Sequence, residues 1–279
     1  MDGFGARLRH AMDTRGPLCV GIDPHPELLE RWGLPFDIDG LARFSQTVVD
    51  AVADRVAVVK PQSAFFERFG SQGIGVLEST IRQLRDAGTL VLLDVKRGDI
   101  GSTAAAYARA YLDPSSPIYV DAITVSPFLG FGSLRPVIDV AAEHGGGVFV
   151  LALTSNPEGA SVQRAVGADG KTVAQHIIDE ISQLNAGVQP LGSVGIVVGA
   201  TIGDTGHNFM NINGPMLAPG IGAQGGKAAD LRRVFGDDLS RVLPSVSREI
   251  LYAGPKSADL VAAIDRSREA CARVVNTEG

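Results

Sequence analysis

The chain has 279 residues, of which 45% are hydrophobic and 20% are charged. This length and composition are typical of a globular protein with a large core, and they exclude a fibrous or disordered chain. The 31 acidic and 25 basic side chains give a net charge of -6, which offers no positive surface to nucleic acid or to an anionic membrane. We therefore expect a small-molecule partner, with no nucleic acid and no membrane.

The amino-terminal segment and the two cysteines bear on the cellular compartment. Residues 1–16 have the spacing of a short helix without the apolar core of a signal peptide, and no apolar run in the chain is as long as a membrane span. Cys19 and Cys271 lie near opposite ends of the sequence, so they form neither a disulfide framework nor a CxxC metal site. We expect a cytoplasmic protein with two buried, inert thiols.

Short apolar runs rich in valine, isoleucine and leucine alternate with segments of helical periodicity. Such nearly continuous hydrophobicity is typical of parallel strands that are covered on both faces. The candidate strands are residues 18–23, 56–60, 90–94, 121–125, 147–153, 194–199, 215–219 and 242–246. Helical spacing is found, among other places, at residues 75–88, 134–146, 172–187 and 257–275.

Eight strand–helix units without a linker-like tract favour an α/β protein with one domain over residues 1–279, a single (β/α)8 TIM barrel. The alternative from the same pattern is an open, doubly wound sheet.

The third candidate strand ends in charged residues, within the sequence VLLDVKRGD at 91–99. Side chains alternate along a strand, so Asp94 and Lys96 project in the same direction at the carboxyl end, where barrel enzymes carry their chemistry. Asp99 follows in the next loop, and Lys60 ends the second strand. A short charged string is often only a solvated face, but the strand context favours a cluster in which two lysines keep two carboxylates ionised.

A lysine that lies between carboxylates stays an ammonium ion. It is then a poor Schiff-base nucleophile but a good electrostatic partner and proton donor, which suits a reaction that builds carbanion character. Asp23 after the first strand and Ser155 after the fifth add polar groups to the same rim.

A glycine-rich segment, APGIGAQGGK at 218–227, follows the seventh strand, and Arg248 follows the eighth. Barrels frequently bind phosphate at these two positions. Gln224 offers an amide, Arg248 can form a bidentate pair with phosphate, and three glycines can expose backbone N–H groups, namely Gly220, Gly222 and Gly225. GIGAQG also matches the GxGxxG dinucleotide fingerprint, but that motif normally opens a βαβ unit with a suitably placed acid. A surface loop without a ligand is the third alternative.

Taken together, these motifs resemble the orotidine 5'-phosphate decarboxylase family, in its longer bacterial subgroup. DVKRGDIGST matches the family signature D-x-K-x-x-D-I-x-x-T. Further matches across most of the chain are GIDP, VVKPQSAFFE, LALTSNPEG, PGIGAQGG and Arg248. The resemblance implies an enzyme that converts orotidine 5'-monophosphate (OMP) to UMP and carbon dioxide, the last step of pyrimidine synthesis, with no cofactor and no metal.

The resemblance also implies roles for individual residues. Lys60, Asp94, Lys96 and Asp99 correspond to the family's charged tetrad, with Lys96 as the proton donor to the carbon that loses carbon dioxide. Asp99 would come from the neighbouring subunit, which implies a homodimer with shared active sites. The other implied substrate contacts are Asp23 to a ribose hydroxyl, Ser155 to the pyrimidine, Pro219 along the base, Gln224 and Arg248 to phosphate, and Ile100 and Thr103 in the shared site.

Besides an open-sheet dehydrogenase that binds a nicotinamide cofactor, two rival functions stay open beside this one. Mg²⁺-dependent sugar-phosphate decarboxylases or aldolases of the same superfamily resemble the chain in the third-strand motif, but their second strand ends in a metal-binding acid where this chain has Lys60. The other rival is a non-catalytic barrel that binds a phosphate ligand, and such a module has no need for four alternating charges.

Overall fold

The computed structural model describes residues 2–204, 206–221, 230–237 and 239–275. Eight parallel strands form a closed barrel in chain order, and the first strand pairs with the last. The strands are β1 (Cys19–Ile22), β2 (Val58–Pro61), β3 (Leu90–Arg97), β4 (Ala122–Val125), β5 (Gly147–Leu153), β6 (Val194–Val198), β7 (Met216–Pro219) and β8 (Val242–Val246). The predicted (β/α)8 barrel is confirmed, and the open sheet is wrong. The assignment of residues 1–279 to one domain stays a prediction.

Helices surround the barrel and connect the strands. Those in the described residues are α1 (Phe4–Arg15), α2 (Pro26–Arg31), α3 (Ile38–Val52), α4 (Ala64–Glu67), α5 (Gly70–Asp86), α6 (Gly101–Leu112), α7 (Arg135–Glu143), α8 (Ala160–Gln163), α9 (Val173–Leu184), α10 (Leu231–Phe235), α11 (Arg248–Leu251) and α12 (Ser257–Val275). Local capping defines some of the starts. The side chain of Asp37 accepts a hydrogen bond from Gly40 N before α3, and Thr172 accepts one from Gln175 N before α9.

The alternation of side chains along each strand divides the apolar residues into two cores. Residues that point outward, such as Val59, Val91 and Ile123, pack against the helices in the larger core. Residues that point inward, such as Val58 and Leu92, fill the barrel itself. Both faces of the sheet are therefore buried, which explains why the strands read as continuous apolar runs.

Helix α1 closes the amino-terminal end of the barrel. Its apolar face, which includes Phe4 and Leu8, belongs to the same core as the inward-pointing strand residues. The Phe4 ring meets Phe149 edge-on at a centroid distance of 5.8 Å. A Cβ at Gly147 would overlap the Phe4 ring, so a larger residue there would force the ring to move. With this end closed, the carboxyl ends of the strands are the open mouth.

Both cysteines are buried and free, as expected from their positions in the sequence. Burial raises the pKa of the Cys19 thiol and of the Cys271 thiol to about 12, so neither is a reactive thiolate at neutral pH. None of the helices in the described ranges is both long and apolar enough to cross a membrane. The cytoplasmic location stays a prediction.

Candidate active site

The inward-pointing positions of the barrel change from apolar to polar at the carboxyl ends of β2, β3 and β4. Lys60, Asp94 and Thr124 each lie two residues beyond an apolar residue of the inner core. The three residues are 6%, 7% and 1% exposed, respectively. Strand periodicity thus brings three polar side chains together near the mouth of the barrel.

The carboxylate of Asp94 accepts four hydrogen bonds from side chains. Its Oδ2 atom accepts from Lys60 Nζ at 2.8 Å and from Gln62 Nε2 at 3.0 Å. Its Oδ1 atom accepts from Lys96 Nζ at 2.5 Å and from Thr124 Oγ1 at 2.8 Å. A buried carboxylate needs such partners to stay charged, and here both oxygens are fully used.

The two ammonium groups determine the protonation state of this cluster. Burial alone would raise the pKa of Asp94, but the charges of Lys60 and Lys96 outweigh it and hold the pKa well below its usual range. Burial alone would likewise lower the pKa of Lys60, and the negative charge of Asp94 reverses the effect, so that the pKa lies above its ordinary value. Asp94 and Lys60 are therefore both charged at neutral pH.

The backbone of β3 is irregular where Lys96 lies. The register with β4 shifts between Leu93 and Arg97, so extra residues on β3 are unmatched on β4. Lys96 itself has a φ of +46°, in the left-handed region that side chains other than glycine rarely adopt. The predicted common direction of Asp94 and Lys96 is found, but it arises from a bulged strand and not from regular alternation. The Lys96 side chain remains 45% exposed, in contrast to that of Lys60.

A cavity of about 170 Å³ opens beside this cluster. Lys60, Asp94 and Lys96 form its charged wall, while Ser155 and Pro219 lie among its other lining residues. The remaining lining residues are Thr124, Leu151, Leu153, Thr154, Val197, Gly199 and Leu217. The cavity thus has a charged wall and an otherwise largely apolar lining, which can hold a flat, uncharged ring beside an ionised group.

Asp23 and Arg248 lie at the adjoining ends of β1 and β8. Asp23 Oδ2 accepts a hydrogen bond of 2.5 Å from Ser247 Oγ, which fixes the carboxylate against the start of α11. Asp23 Oδ1 has no hydrogen-bond partner in the described protein. Arg248 is partly exposed and, within the described residues, makes no ion pair. Neither residue is among those that line the cavity of the charged cluster, although the charge of Asp23 acts on Lys60.

Asp99, Ile100 and Thr103 lie at the start of α6, outside the cluster. Asp99 Oδ1 accepts a hydrogen bond from Ile100 N at 2.8 Å, and among the described residues Asp99 forms no ion pair with Lys60 or Lys96. Ile100 is 62% exposed, and Thr103 is also exposed. One chain therefore assembles three members of the predicted tetrad and not the fourth. Gln224, with Gly222 and Gly225, lies outside the described residues.

Two polar partners of Asp94 were not anticipated from the sequence. Thr124 also accepts a hydrogen bond from Lys96 N at 2.9 Å, so it contacts both the side chain of Asp94 and the backbone of Lys96. The signal for Thr124 was a lone hydroxyl near the end of the apolar strand DAITV. Gln62 follows the second strand in VVKPQ and pairs with Asp94 across an isolated β-bridge, which a pattern of single strands does not reveal.

A closed barrel with charged side chains converging inside its carboxyl-end mouth defines a (β/α)8-barrel enzyme. Residues 16–263 match the model of the orotidine 5'-phosphate decarboxylase / HUMPS family. The chain is 72% identical to the orotidine 5'-phosphate decarboxylase of Salinispora arenicola over 97% of this chain and 98% of that one, and 61% identical to that of Streptomyces coelicolor over 95% and 96%. The chain belongs to this family, and the predicted enzyme class, a carboxy-lyase, is confirmed.

Solved structures agree with the sequence comparison. The barrel superimposes with a TM-score of 0.97 on a crystal structure of a candidate orotidine 5'-phosphate decarboxylase from Streptomyces avermitilis, at 57% identity over 99% of this chain and 97% of that one. The OMP decarboxylase of Leishmania donovani is similar with a TM-score of 0.76, at 29% identity over 99% and 100% of the two chains.

Proposed function

We propose that the protein decarboxylates OMP to UMP in pyrimidine synthesis, and that Lys60, Asp94, Lys96 and Asp99 form the reacting site without a cofactor. The observation that carries this proposal is the Asp94 carboxylate between two lysine ammonium groups, at 2.8 Å and 2.5 Å, on the wall of a cavity at the mouth of the barrel. Family membership supports OMP as the substrate.

The reaction breaks one carbon–carbon bond and forms one carbon–hydrogen bond. The substrate carboxylate faces Asp94 and leaves as carbon dioxide, and its bonding electron pair stays on the pyrimidine carbon. Lys96 Nζ stabilises this developing carbanion and then gives it a proton, which yields UMP, and solvent restores the lysine proton. The partial exposure of the Lys96 side chain supports this role, because a proton donor must reach both substrate and solvent.

Lys60 has a different role in this scheme. Its side chain is only 8% exposed and contacts Asp94 at 2.8 Å, which supports a role in keeping Asp94 charged and in place. Positioned charges that need no rearrangement during the reaction are the most effective way to stabilise a transition state.

The rest of the substrate binds around the charged cluster. Ser155 and Pro219 contact the pyrimidine from the other side of the cavity that they line. Asp23 accepts a hydrogen bond from a ribose hydroxyl through the oxygen that Ser247 does not use. Arg248 and Gln224 bind the phosphate, remote from the breaking bond, so that phosphate binding energy positions the reacting carbon.

The saturation of Asp94 supports the cofactor-free reaction over the Mg²⁺-dependent rivals. Each of its oxygens already accepts two hydrogen bonds, so a metal ion would have to displace a lysine, a glutamine or a threonine. Lys60 also occupies the end of β2, where those rivals carry a metal-binding acid.

The test is release of UMP and carbon dioxide from OMP, measured with and without a strong chelator. We expect equal turnover in both conditions, because the proposed site takes its charges from lysines. Activity that disappears with chelator and returns with Mg²⁺ would contradict the cofactor-free mechanism, and a folded protein that is inactive towards OMP would contradict the proposed substrate.

A second test uses the variant Lys96→Ala, assayed beside the wild type. We expect turnover to disappear while UMP binding stays close to wild type, because Lys96 acts on the carbanion and not on the phosphate or ribose. A variant that keeps most of the wild-type turnover would remove Lys96 from its role, and a variant that does not fold would make the charged cluster structural.

A further inference from the structure

The unusual backbone of Lys96 raises the question of what holds it. A residue with a side chain keeps a φ of +46° only when its neighbours determine the conformation. On the amino-terminal side, Lys96 N donates to Thr124 Oγ1 at 2.9 Å. On the carboxyl-terminal side, Ser126 N donates to Arg97 O at 2.8 Å. Both of these contacts come from the β4 side of the strand.

Arg97 supplies the contacts on the other side. Its Nη2 donates to Glu67 Oε1 at 2.7 Å, and its Nη1 donates back to Val95 O at 3.3 Å. The guanidinium carbon lies 5.7 Å from the centre of the Tyr107 ring. The Arg97 side chain therefore connects the end of β3 to Glu67 in α4, to Tyr107 in α6 and to the backbone of Val95.

Glu67 connects this pair to the other strand of the charged cluster. The same oxygen that accepts from Arg97 accepts from Ser63 Oγ at 2.5 Å. Ser63 N in turn donates to Asp94 O at 3.3 Å. Contacts therefore run from the backbone of Asp94 through Ser63 and Glu67 to Arg97, the residue directly after Lys96.

We propose that Glu67 and Arg97 are positioning residues, whose ion pair holds the bulged end of β3 so that Lys96 Nζ stays on Asp94. The proposal rests on the proposed function, since the position of Lys96 matters only if Lys96 carries out the proton transfer. Neither Glu67 nor Arg97 lines the cavity, so both act through Lys96 and not on the substrate.

Exposure alone would make this an ordinary surface pair, because the Arg97 and Glu67 side chains are 31% and 37% exposed. Such pairs add little to stability. We therefore expect the effect of breaking the pair in the catalytic rate and not in the melting temperature. Arg135 and Asp139 provide a matched control, since they form an ion pair of 2.8 Å on α7 whose side chains are 64% and 58% exposed.

The experiment compares Glu67→Gln, Arg97→Gln and the double variant with the wild type for OMP turnover, UMP affinity and thermal unfolding. We expect kcat to fall by about 10- to 100-fold in each single variant, as for small misplacements of a reacting group. The double variant should lose no more than the worse single variant, because both changes break the same contact. UMP affinity and Tm should stay at the wild-type values.

Two further variants separate positioning from general damage. Arg97→Lys should recover part of the kcat that Arg97→Gln loses, because lysine keeps the charge opposite Glu67 but cannot also donate to Val95 O as the forked guanidinium does. Asp139→Asn should leave kcat unchanged. Wild-type kcat in Glu67→Gln and Arg97→Gln, or parallel losses of kcat, UMP affinity and Tm, would overturn the inference.

Failure of the proposed function gives a different result. An inactive wild type would contradict the proposed decarboxylation, and an active Lys96→Ala would contradict the proposed role of Lys96. Neither result would contradict the structural claim that the Glu67–Arg97 pair holds Lys96 on Asp94. A crystal structure of Arg97→Gln tests that claim directly. A Lys96 that keeps its positive φ and its contact with Asp94 in that variant would overturn the inference whatever the activity.

Discussion

Asp94 is a fully ionised carboxylate inside a barrel, and its surroundings explain how the protein tolerates it. Removing an ion from water is costly, and the cost is met only when opposite charges and hydrogen bonds surround the ion. Lys60 and Lys96 supply the charges, and Gln62 and Thr124 complete the hydrogen bonds. The stability of the folded state therefore depends above all on the buried ammonium group of Lys60, because the Lys96 side chain is 45% exposed.

Replacement of Lys60 by methionine should destabilise the protein strongly at neutral pH. Lys60→Met keeps the volume of the side chain but leaves Asp94 buried beside a single ammonium group, that of Lys96. Breaking a buried pair from one side costs about 3–5 kcal/mol. The free energy of unfolding in denaturant is the measurement, and Arg135→Met, at an exposed pair, should change it by less than about 0.5 kcal/mol.

The destabilisation should also depend on pH with a definite sign. Folding lowers the pKa of Asp94, so its contribution to stability is fully present above its ordinary pKa of 3.8 and is lost as the pH falls through the folded value. Folding raises the pKa of Lys60, so its contribution is present below 10.5 and is lost at higher pH. In Lys60→Met, Asp94 binds a proton at a higher pH than in the wild type. The difference between the two proteins should shrink as the pH falls through the pKa of Asp94 in the variant, and a constant difference would contradict the pairing.

At the level of single residues, the sequence predicted the charged members of the cluster better than its neutral members. Charges at the end of an apolar strand are conspicuous because they are rare there. The hydroxyl of Thr124 is not conspicuous, and its importance comes from two contacts across the β3–β4 pair. The bulge at Lys96 was also not predicted, since a register shift is a property of two strands and not of one.

Helix α1 covers the closed end of the barrel, and contacts between residues far apart in the sequence hold it there. The sequence predicted a short amino-terminal helix, but its position against β4 and β5 depends on contacts more than a hundred residues apart. Arg7 Nη1 donates to Asp121 Oδ1 at 2.5 Å, directly before β4, and Arg7 Nη2 donates to Gly145 O at 3.0 Å, before β5. These two contacts of Arg7 therefore hold the helix against the segments directly before two strands.

Loss of the Arg7–Asp121 ion pair should lower the free energy of unfolding without lowering the rate of the reaction. Asp121 is 5% exposed, and its second oxygen accepts from Val91 N at 2.9 Å. Asp121→Asn removes the charge that faces Arg7, and a hydrogen bond to a charged group is worth about 1.5–3 kcal/mol. We expect a loss of this size in denaturant unfolding and a wild-type kcat for OMP, because the open mouth of the barrel is at the other end.

Asp139→Asn is the matched control for this variant, since it breaks an ion pair on the surface of α7 and should be nearly neutral. Unchanged stability in Asp121→Asn would mean that the apolar face of α1 holds the helix alone. A large loss of kcat at unchanged stability would contradict the independence of the two ends of the barrel.

The surface of the molecule carries a group of exposed apolar side chains beside the start of α6. Ile100, Phe128 and Leu129 are 62%, 77% and 53% exposed, and Tyr107 is 37% exposed. The loop that carries Phe128 passes close to the Asp99 segment, since a Cβ at Gly98 would lie 2.6 Å from Ser126 O. Large exposed apolar side chains are typical of contact surfaces. They are consistent with a second copy of the chain covering the segment that contains Asp99.

The periodicity of the sequence was sufficient to predict the barrel, because each strand–helix unit repeats the same local pattern. It was not sufficient to predict the complete site from one chain. Asp99 lies only three residues after Lys96 in sequence, but it has no ion pair with either lysine of the cluster among the described residues. Proximity in sequence favours a contact within the chain, and only the family resemblance implied one across a dimer.

Mixing of inactive chains tests whether Asp99 acts across the dimer. Asp99→Ala and Lys96→Ala should each be inactive alone. In a heterodimer, one site receives both changes and the other receives an intact Lys96 from one chain and an intact Asp99 from its partner. Random exchange at equal concentrations makes about half of the dimers mixed, so about one quarter of all sites should be active. OMP turnover after exchange is the measurement, with subunit exchange followed by native mass spectrometry.

The matched control mixes Lys96→Ala with Lys60→Met, at a temperature where the destabilised Lys60→Met chain is still folded. Lys60 and Lys96 contact the same Asp94 carboxylate within one chain, so every site in such a heterodimer keeps one defect and no activity should return. Recovery in the first mixture and not in the second assigns Asp99 to the partner and the two lysines to one chain. Absence of recovery in the first mixture, despite proven exchange, would assign Asp99 to the same chain as Lys96, and the exposed surface at α6 would then need a different explanation.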